Sequence, residues 1–151
     1  MSDFAASLGP FATLSVGLAA SFIAWQQWQL AQNKFRLDLF DRRYRVFDAA
    51  RKFLAQSANE GRVDDSKLAE FYAGISDAGF LFKPEVGKYL EVVVQRALKM
   101  DTHRKLCEPL PVGEARSRLA QAELDERTWL IEQLTAISKV FSPYLGFSHI
   151  N

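Results

Sequence analysis

The chain contains one cysteine, Cys107, and two histidines, His103 and His149. A lone thiol excludes an intramolecular disulfide and a Cys-rich zinc module, and two imidazoles are too few for a multi-histidine metal site. Neither sign of charge dominates, since 19 Lys and Arg stand against 18 Asp and Glu. That balance argues against a general polyanion binder. The sequence has no Walker A loop, no GxGxxG after a strand, no HExxH helix and no nucleophile elbow. His103 and Cys107 are four apart and share a helix face, yet no second half of a ligand set exists elsewhere. Cys107 with His103 or His149 is the only Cys/His pairing available for nucleophilic chemistry, and no turn presents the sulfur. The reading is therefore a non-enzyme without cofactor or metal.

A further absence is local. From Phe4 to Asn33 there is no Asp, Glu, Lys or Arg, with Asp3 closing the tract on one side and Lys34 on the other. A helix needs roughly 20 mostly apolar residues to cross the hydrocarbon core of a bilayer. The tract from Leu8 to Trp25, LGPFATLSVGLAASFIAW, meets that length, although Ala, Gly, Ser and Thr dilute it. A signal peptide would begin with basic residues, whereas this sequence begins Met1-Ser2-Asp3. The tract reads as a retained transmembrane helix. Lys34, Arg36, Arg42, Arg43 and Arg45 follow it and no Lys or Arg precedes it. The positive-inside rule then puts the N-terminus outside and the remainder in the cytoplasm. Trp25 and Trp28 fall where an interfacial aromatic belt sits. Gly9, Thr13, Gly17 and Ser21 recur every four residues and form a small-residue ridge for self-association or for a partner membrane helix. The same five cations are the candidates for contact with lipid headgroups. Between Lys34 and Lys52 there are seven Lys and Arg against three Asp. Those interspersed acids spoil a phosphate track, so no nucleic-acid partner is expected.

Residues 1–33 thus form an N-terminal tail with its anchor, and residues 34–151 a cytoplasmic helical domain. No segment sustains period-two alternation, and the expected class is all-α. One helix is expected from Pro10 to Ser57, leaving the bilayer and entering an antiparallel bundle of about four helices. Its inner face is read as Leu37, Phe40, Tyr44, Phe47 and Leu54. Asn59-Glu60-Gly61 supplies a left-handed C-terminal cap. Asp64, Asp65 and Ser66 offer N-capping oxygens for a short helix through Ser76, with Leu68, Phe71, Tyr72 and Ile75 inward. Asp77-Ala78-Gly79 reads as a turn. Pro84 opens the next helix, which carries Val86, Leu90, Val93, Ala97 and Met100 inward and ends near Glu108. Pro109, Pro111 and Gly113 make a loop. The last long helix runs from Glu114 to Phe141 with Leu130, Leu134, Ile137 and Phe141 inward. Ser142-Pro143 restarts a final turn, and Phe147 and Ile150 fold back. Phe82 and Tyr144 are expected in the core.

Three segments, FRLDLFDRRYRVFDAARKFL, FLFKPEVGKYLE and FSPYLGF, resemble a widespread set of small uncharacterised bacterial proteins with one N-terminal transmembrane helix and a helical cytoplasmic domain. The resemblance implies a bacterial inner-membrane setting and carries no activity or catalytic residue with it. Three functions compete on this evidence. The first is a membrane-anchored helical interaction or adaptor protein, whose partners are lipid and a second helix in the bilayer. The alternatives are a homo-oligomeric membrane-active effector and an enzyme with an unrecognised site.

Overall fold

The computed structural model describes residues 3–146, with side chains from Gly17 onward. The elements are α1 (Asp3–Glu60), α2 (Asp65–Gly74), α3 (Ala78–Leu81), α4 (Pro84–Cys107) and α5 (Glu114–Leu145). The described residues are all-α. The chain divides into two compact units, Met1–Asp38 and Leu39–Asn151. Among the described residues, no helix is long and apolar enough to cross a membrane. The first half of the uncharged tract, through Val16, lies outside the residues whose side chains are described, as do Phe147, His149 and Ile150.

The second unit is an up-down-up-down bundle. Ion pairing of Lys67 with Glu60 and the approach of Gly74 to Ala49 set α2 antiparallel to the C-terminal part of α1. A Cβ built on Gly74 lies 2.5 Å from the Ala49 Cβ, so the crossing requires glycine there. Because α2 and α3 carry the chain back, α4 runs parallel to α1. Arg43 meets Leu81 at one end, and the Val63 amide meets Asp101 at the other. Arg96 of α4 pairs with Glu126 and lies over the Trp129 ring of α5, and contacts of Cys107 with Arg116 and of Phe82 with Phe141 on either side set those two helices antiparallel.

The α4 stripe is as the spacing predicts, with Val86, Leu90, Val93, Ala97 and Met100 all buried. Leu130, Ile137 and Phe141 of α5 are buried as well, and Leu134 packs against them. The expected inner face of α1 needs correction. Leu37 and Tyr44 are exposed, while Val46, Ala50, Phe53, Leu54, Ser57 and Ala58 face the core. Leu54 of the expected face is buried and Phe47 packs against the core. The reading thus holds toward the bundle and fails toward the first unit, where Leu37 and Tyr44 have no core to enter. Tyr72, expected inward on α2, is also exposed, and Phe53 and Phe71 stack at 4.5 Å behind it.

Helix ends agree in part. Gly61 takes φ +63°, the left-handed cap conformation, and its amide donates to the Ser57 carbonyl at 3.0 Å. Asp64 occupies the N-cap position of α2 but makes no side-chain capping bond, because its carboxylate faces Lys67 and Arg62 instead. The Ala78–Leu81 stretch forms a short helix rather than a plain turn. Most informative is α5, which continues through Pro143 to Leu145. Proline has no N–H for the Lys139 carbonyl, which an α-helix would otherwise bond from position 143. The Ser142 hydroxyl donates to that carbonyl at 3.1 Å and fills the gap.

Phe82 is buried, packed edge-on against Phe141 at 5.2 Å and against Tyr144 at 5.2 Å, while Tyr144 itself is half-buried. Phe82→Ala is expected to cost about 3–5 kcal/mol of unfolding free energy, and Tyr144→Ala less, measured by denaturant unfolding of the full-length chain.

The one buried carboxylate among the described residues, Asp101, pins the loop after α1 to α4. Its Oδ1 accepts from the Val63 amide at 3.4 Å and from Arg104 at 3.0 Å, and its Oδ2 faces Lys105 at 2.7 Å. Burial works to raise its pKa, and the hydrogen bonds from Lys105, Arg104 and Val63 more than reverse this, so the carboxyl titrates below its ordinary value. A folded-state pKa below the unfolded one adds stability that is present above the unfolded value and vanishes as pH falls through the folded one. Asp101→Asn is therefore expected to cost roughly 2 kcal/mol at neutral pH. The gap from the parent should close as the pH drops below the carboxylate range, as followed by thermal melts across pH.

Candidate functional site

The first unit has the simplest geometry. Every described side chain from Gly17 to Asp38 is exposed, among them Leu18 at 66%, Phe22, Ile23, Trp25, Trp28 at 60%, Phe35 and Leu37. A single helix has no partner within its own unit to cover them. Of the small-residue ridge, Gly9 and Thr13 lie outside the described side chains. Gly17 has nothing within 4 Å of where a Cβ would stand, which leaves room for another backbone. The Ser21 hydroxyl donates to the Gly17 carbonyl at 2.9 Å and so meets its hydrogen-bonding need inside the helix. Trp25 lies 6.2 Å from Phe22, ring to ring. Lys34 and Arg36 are exposed at the start of the basic stretch.

The five cations separate in their roles. Arg42 and Arg45 are exposed. Arg45 borders a cleft of about 160 Å³ between α1 and α2, beside Asp48, Lys52, Lys67 and Glu70. Lys52 is 2.7 Å from Asp48, and that hydrogen bond raises its pKa. The cleft is small and of mixed charge, and no serine, threonine, cysteine or histidine lines it. Arg43 is spent within the bundle. Its Nε donates to the Leu81 carbonyl at 3.2 Å, its Nη1 donates to the Tyr144 carbonyl at 3.1 Å, and it stands over the Tyr144 ring. Arg127 does the corresponding work at the opposite end, where Nε and Nη2 donate to the Ala58 and Asn59 carbonyls at 2.7 and 2.9 Å. Neither tie is visible in sequence spacing, because the partners are distant backbone atoms.

The Cys/His pairing does not assemble into a site. The Cys107 thiol donates to the Arg116 carbonyl at 3.6 Å, and the Nδ1 of His103 is buried without a partner. Among the described residues, no group of three or more His, Cys, Asp or Glu is placed to hold a metal ion. Tyr89 buries an unpartnered hydroxyl, and that burial raises its pKa to about 12, so it stays protonated in the physiological range.

A third surface is apolar. A groove of about 310 Å³ lies between α2, α3 and α4, with Tyr72, Ile75, Ala78, Leu90, Val94 and Leu98 on its walls and Glu91 and Gln95 at its edge. It offers contact area and no reacting group.

Arg43→Gln is expected to lower stability by about 1–3 kcal/mol, since it withdraws a charged donor from two carbonyls. Lys34→Gln, at an exposed position, should leave the denaturation midpoint unchanged. Parallel unfolding titrations distinguish the two roles.

Compared with protein-family models, with curated proteins and with solved structures, the chain matches none.

Proposed function

We propose that the protein is a membrane-anchored helical interaction or adaptor module. In this reading the N-terminal helix is held in a bacterial inner membrane, with the N-terminus outside and the bundle in the cytoplasm. One observation supports this above the others. Leu18, Phe22, Ile23, Trp25 and Trp28 all stand exposed on a helix that carries no charge between Asp3 and Lys34. Covering a large apolar side chain is worth about 1.5–3 kcal/mol, and no described side chain of the first unit supplies that cover. Lipid does so without a specific partner. The uncharged residues through Val16, the tryptophans near the end of the tract and Lys34 and Arg36 just beyond it are arranged as that reading requires. The three segments that resemble the bacterial single-span set favour the same location. The bundle then serves as the interaction part. Its one buried carboxylate among the described residues, Asp101, is engaged in holding the fold, and its one thiol faces a backbone carbonyl.

The open side of Gly17 favours a second reading, in which the spans of several copies pack together and act on the bilayer. A tract without an ionisable residue makes a poor ion path, which places this reading behind the first.

Alkaline carbonate extraction of membranes from cells making the full-length chain tests the anchor. The protein should stay with the sedimented membranes and float with them on a density gradient. Recovery in the carbonate supernatant would overturn the anchor, its topology and the span-packing alternative together.

A further inference from the structure

We propose that α5 carries an interface through which two copies of this chain pair in parallel, side by side along that helix. The pairing goes beyond the anchoring reading and does not depend on it.

The inference starts from a face of α5 that the core does not use. Leu130, Ile137 and Phe141 are buried. Roughly 120° round the helix, the positions that alternate four and three apart from Ser117 to Ser142 form a second stripe. Every one of them is exposed and none is charged. At the centre of the stripe are Leu124 at 55% exposure and Ile131 at 51%, interleaved with Thr128 and Thr135. The stripe is about 38 Å long at the α-helical rise. A face meant only for water looks different, as α4 shows with Glu85, Lys88, Glu91 and Lys99 on its exposed side. The four-three alternation is the heptad spacing of a two-helix seam.

Charge decides the occupant and its direction. Immediately beside the seam, Arg118, Asp125, Glu132 and Lys139 recur every seven residues, all exposed. An antiparallel second copy that covers the whole seam, with Ser117 opposite Ser142, brings Arg118 beside Lys139 and Asp125 beside Glu132. Both contacts join like charges. A parallel second copy instead sets Leu124 against Leu124 and Ile131 against Ile131. It also turns Glu132 toward the opposite flank of the other helix, where Arg127 keeps its Nη1 in addition to the Nε and Nη2 bonds that tie it to α1, and creates no like-charge contact along these rows. Self-complementarity of this kind is what a two-fold interface demands.

The test uses the full-length chain in its native membranes, or in solution should it be extracted there. Cys107→Ser removes the only thiol, and Leu124→Cys or Ile131→Cys is then added singly. Copper-phenanthroline oxidation should join each variant into a disulfide dimer, while Lys99→Cys on the exposed side of α4 stays monomeric as the collision control. In sedimentation equilibrium, Ile131→Glu should weaken dimerisation at least about tenfold, which corresponds to about 1.4 kcal/mol. Its position is exposed, so the helical circular dichroism should be unchanged. Four results would overturn the proposal. They are a monomer at all concentrations, crosslinking no greater than at Lys99→Cys, crosslinking at Ile131→Cys but not at Leu124→Cys, as an antiparallel pair centred between Thr128 and Ile131 would give, and a dimer that Ile131→Glu leaves intact. The last would place the contact elsewhere, for example along Gly17.

Discussion

Two arginines fix how α1 and α5 lie against each other. Arg43 reaches from α1 to the Tyr144 carbonyl, and Arg127 reaches from α5 to the Ala58 and Asn59 carbonyls. The ties join 43 to 144 and 58 to 127, so the pair is antiparallel and held in one register from both ends. A helix leaves its last carbonyls without internal partners, and a guanidinium can serve two of them at once because its donors are fixed in a fork. The Arg127 tie closes the end of α1 just before Gly61 turns the chain, and the Arg43 tie holds the end of α5 just after Pro143. If either end slipped by one turn, Phe141 would leave Phe47 and Phe82, and the aromatic cluster at that end of the bundle would open.

Those ties explain which parts of the fold were legible in the sequence. Local features were. Pro84 begins α4, Gly61 ends α1, and the spacing of Val86, Leu90, Val93, Ala97 and Met100 marks a face that is buried throughout. What depended on distant partners was not. The spacing on α1 marks Leu37, Phe40, Tyr44, Phe47 and Leu54, of which Leu54 and Phe47 pack in the core while Leu37 and Tyr44 are exposed. The bundle also takes in Val46, Ala50, Phe53, Ser57 and Ala58, a face fixed by where the other helices lie. The approach of Gly74 to Ala49 likewise depends on where α2 lies. Proline at 143 was read as a break. The break does not occur because the neighbouring Ser142 hydroxyl supplies the hydrogen bond that proline cannot.

The functional surfaces divide in a similar way. Exposed positions on a lone helix follow directly from the uncharged run, so Gly17, Ser21, Trp25, Trp28, Lys34 and Arg36 were legible as a group. Arg43 belonged to that group by sequence position alone. Its three-dimensional surroundings assign it to the bundle, since charge counting cannot distinguish a guanidinium in water from one that bridges two helix ends. The apolar groove beside α4 was beyond sequence reading for a related reason, because its walls come from three elements whose meeting is decided by the turn just before Ala78.

A helix that packs on one side normally turns charge toward water on the other, and α4 does so. Two stretches break that rule, the tract before Lys34 and the outer stripe of α5. They break it differently. The tract lacks charge all round, which suits a surrounding that is apolar in every direction. The α5 stripe lacks charge only over a narrow sector bordered by a row of two acids between two bases, which suits a single helix laid alongside. Surroundings of the first kind need no registry, and Gly, Ala and Ser are freely mixed with large residues there. Those of the second kind do, and the seven-residue recurrence of Arg118, Asp125, Glu132 and Lys139 supplies it. The two features therefore answer to different physical demands, and neither accounts for the other.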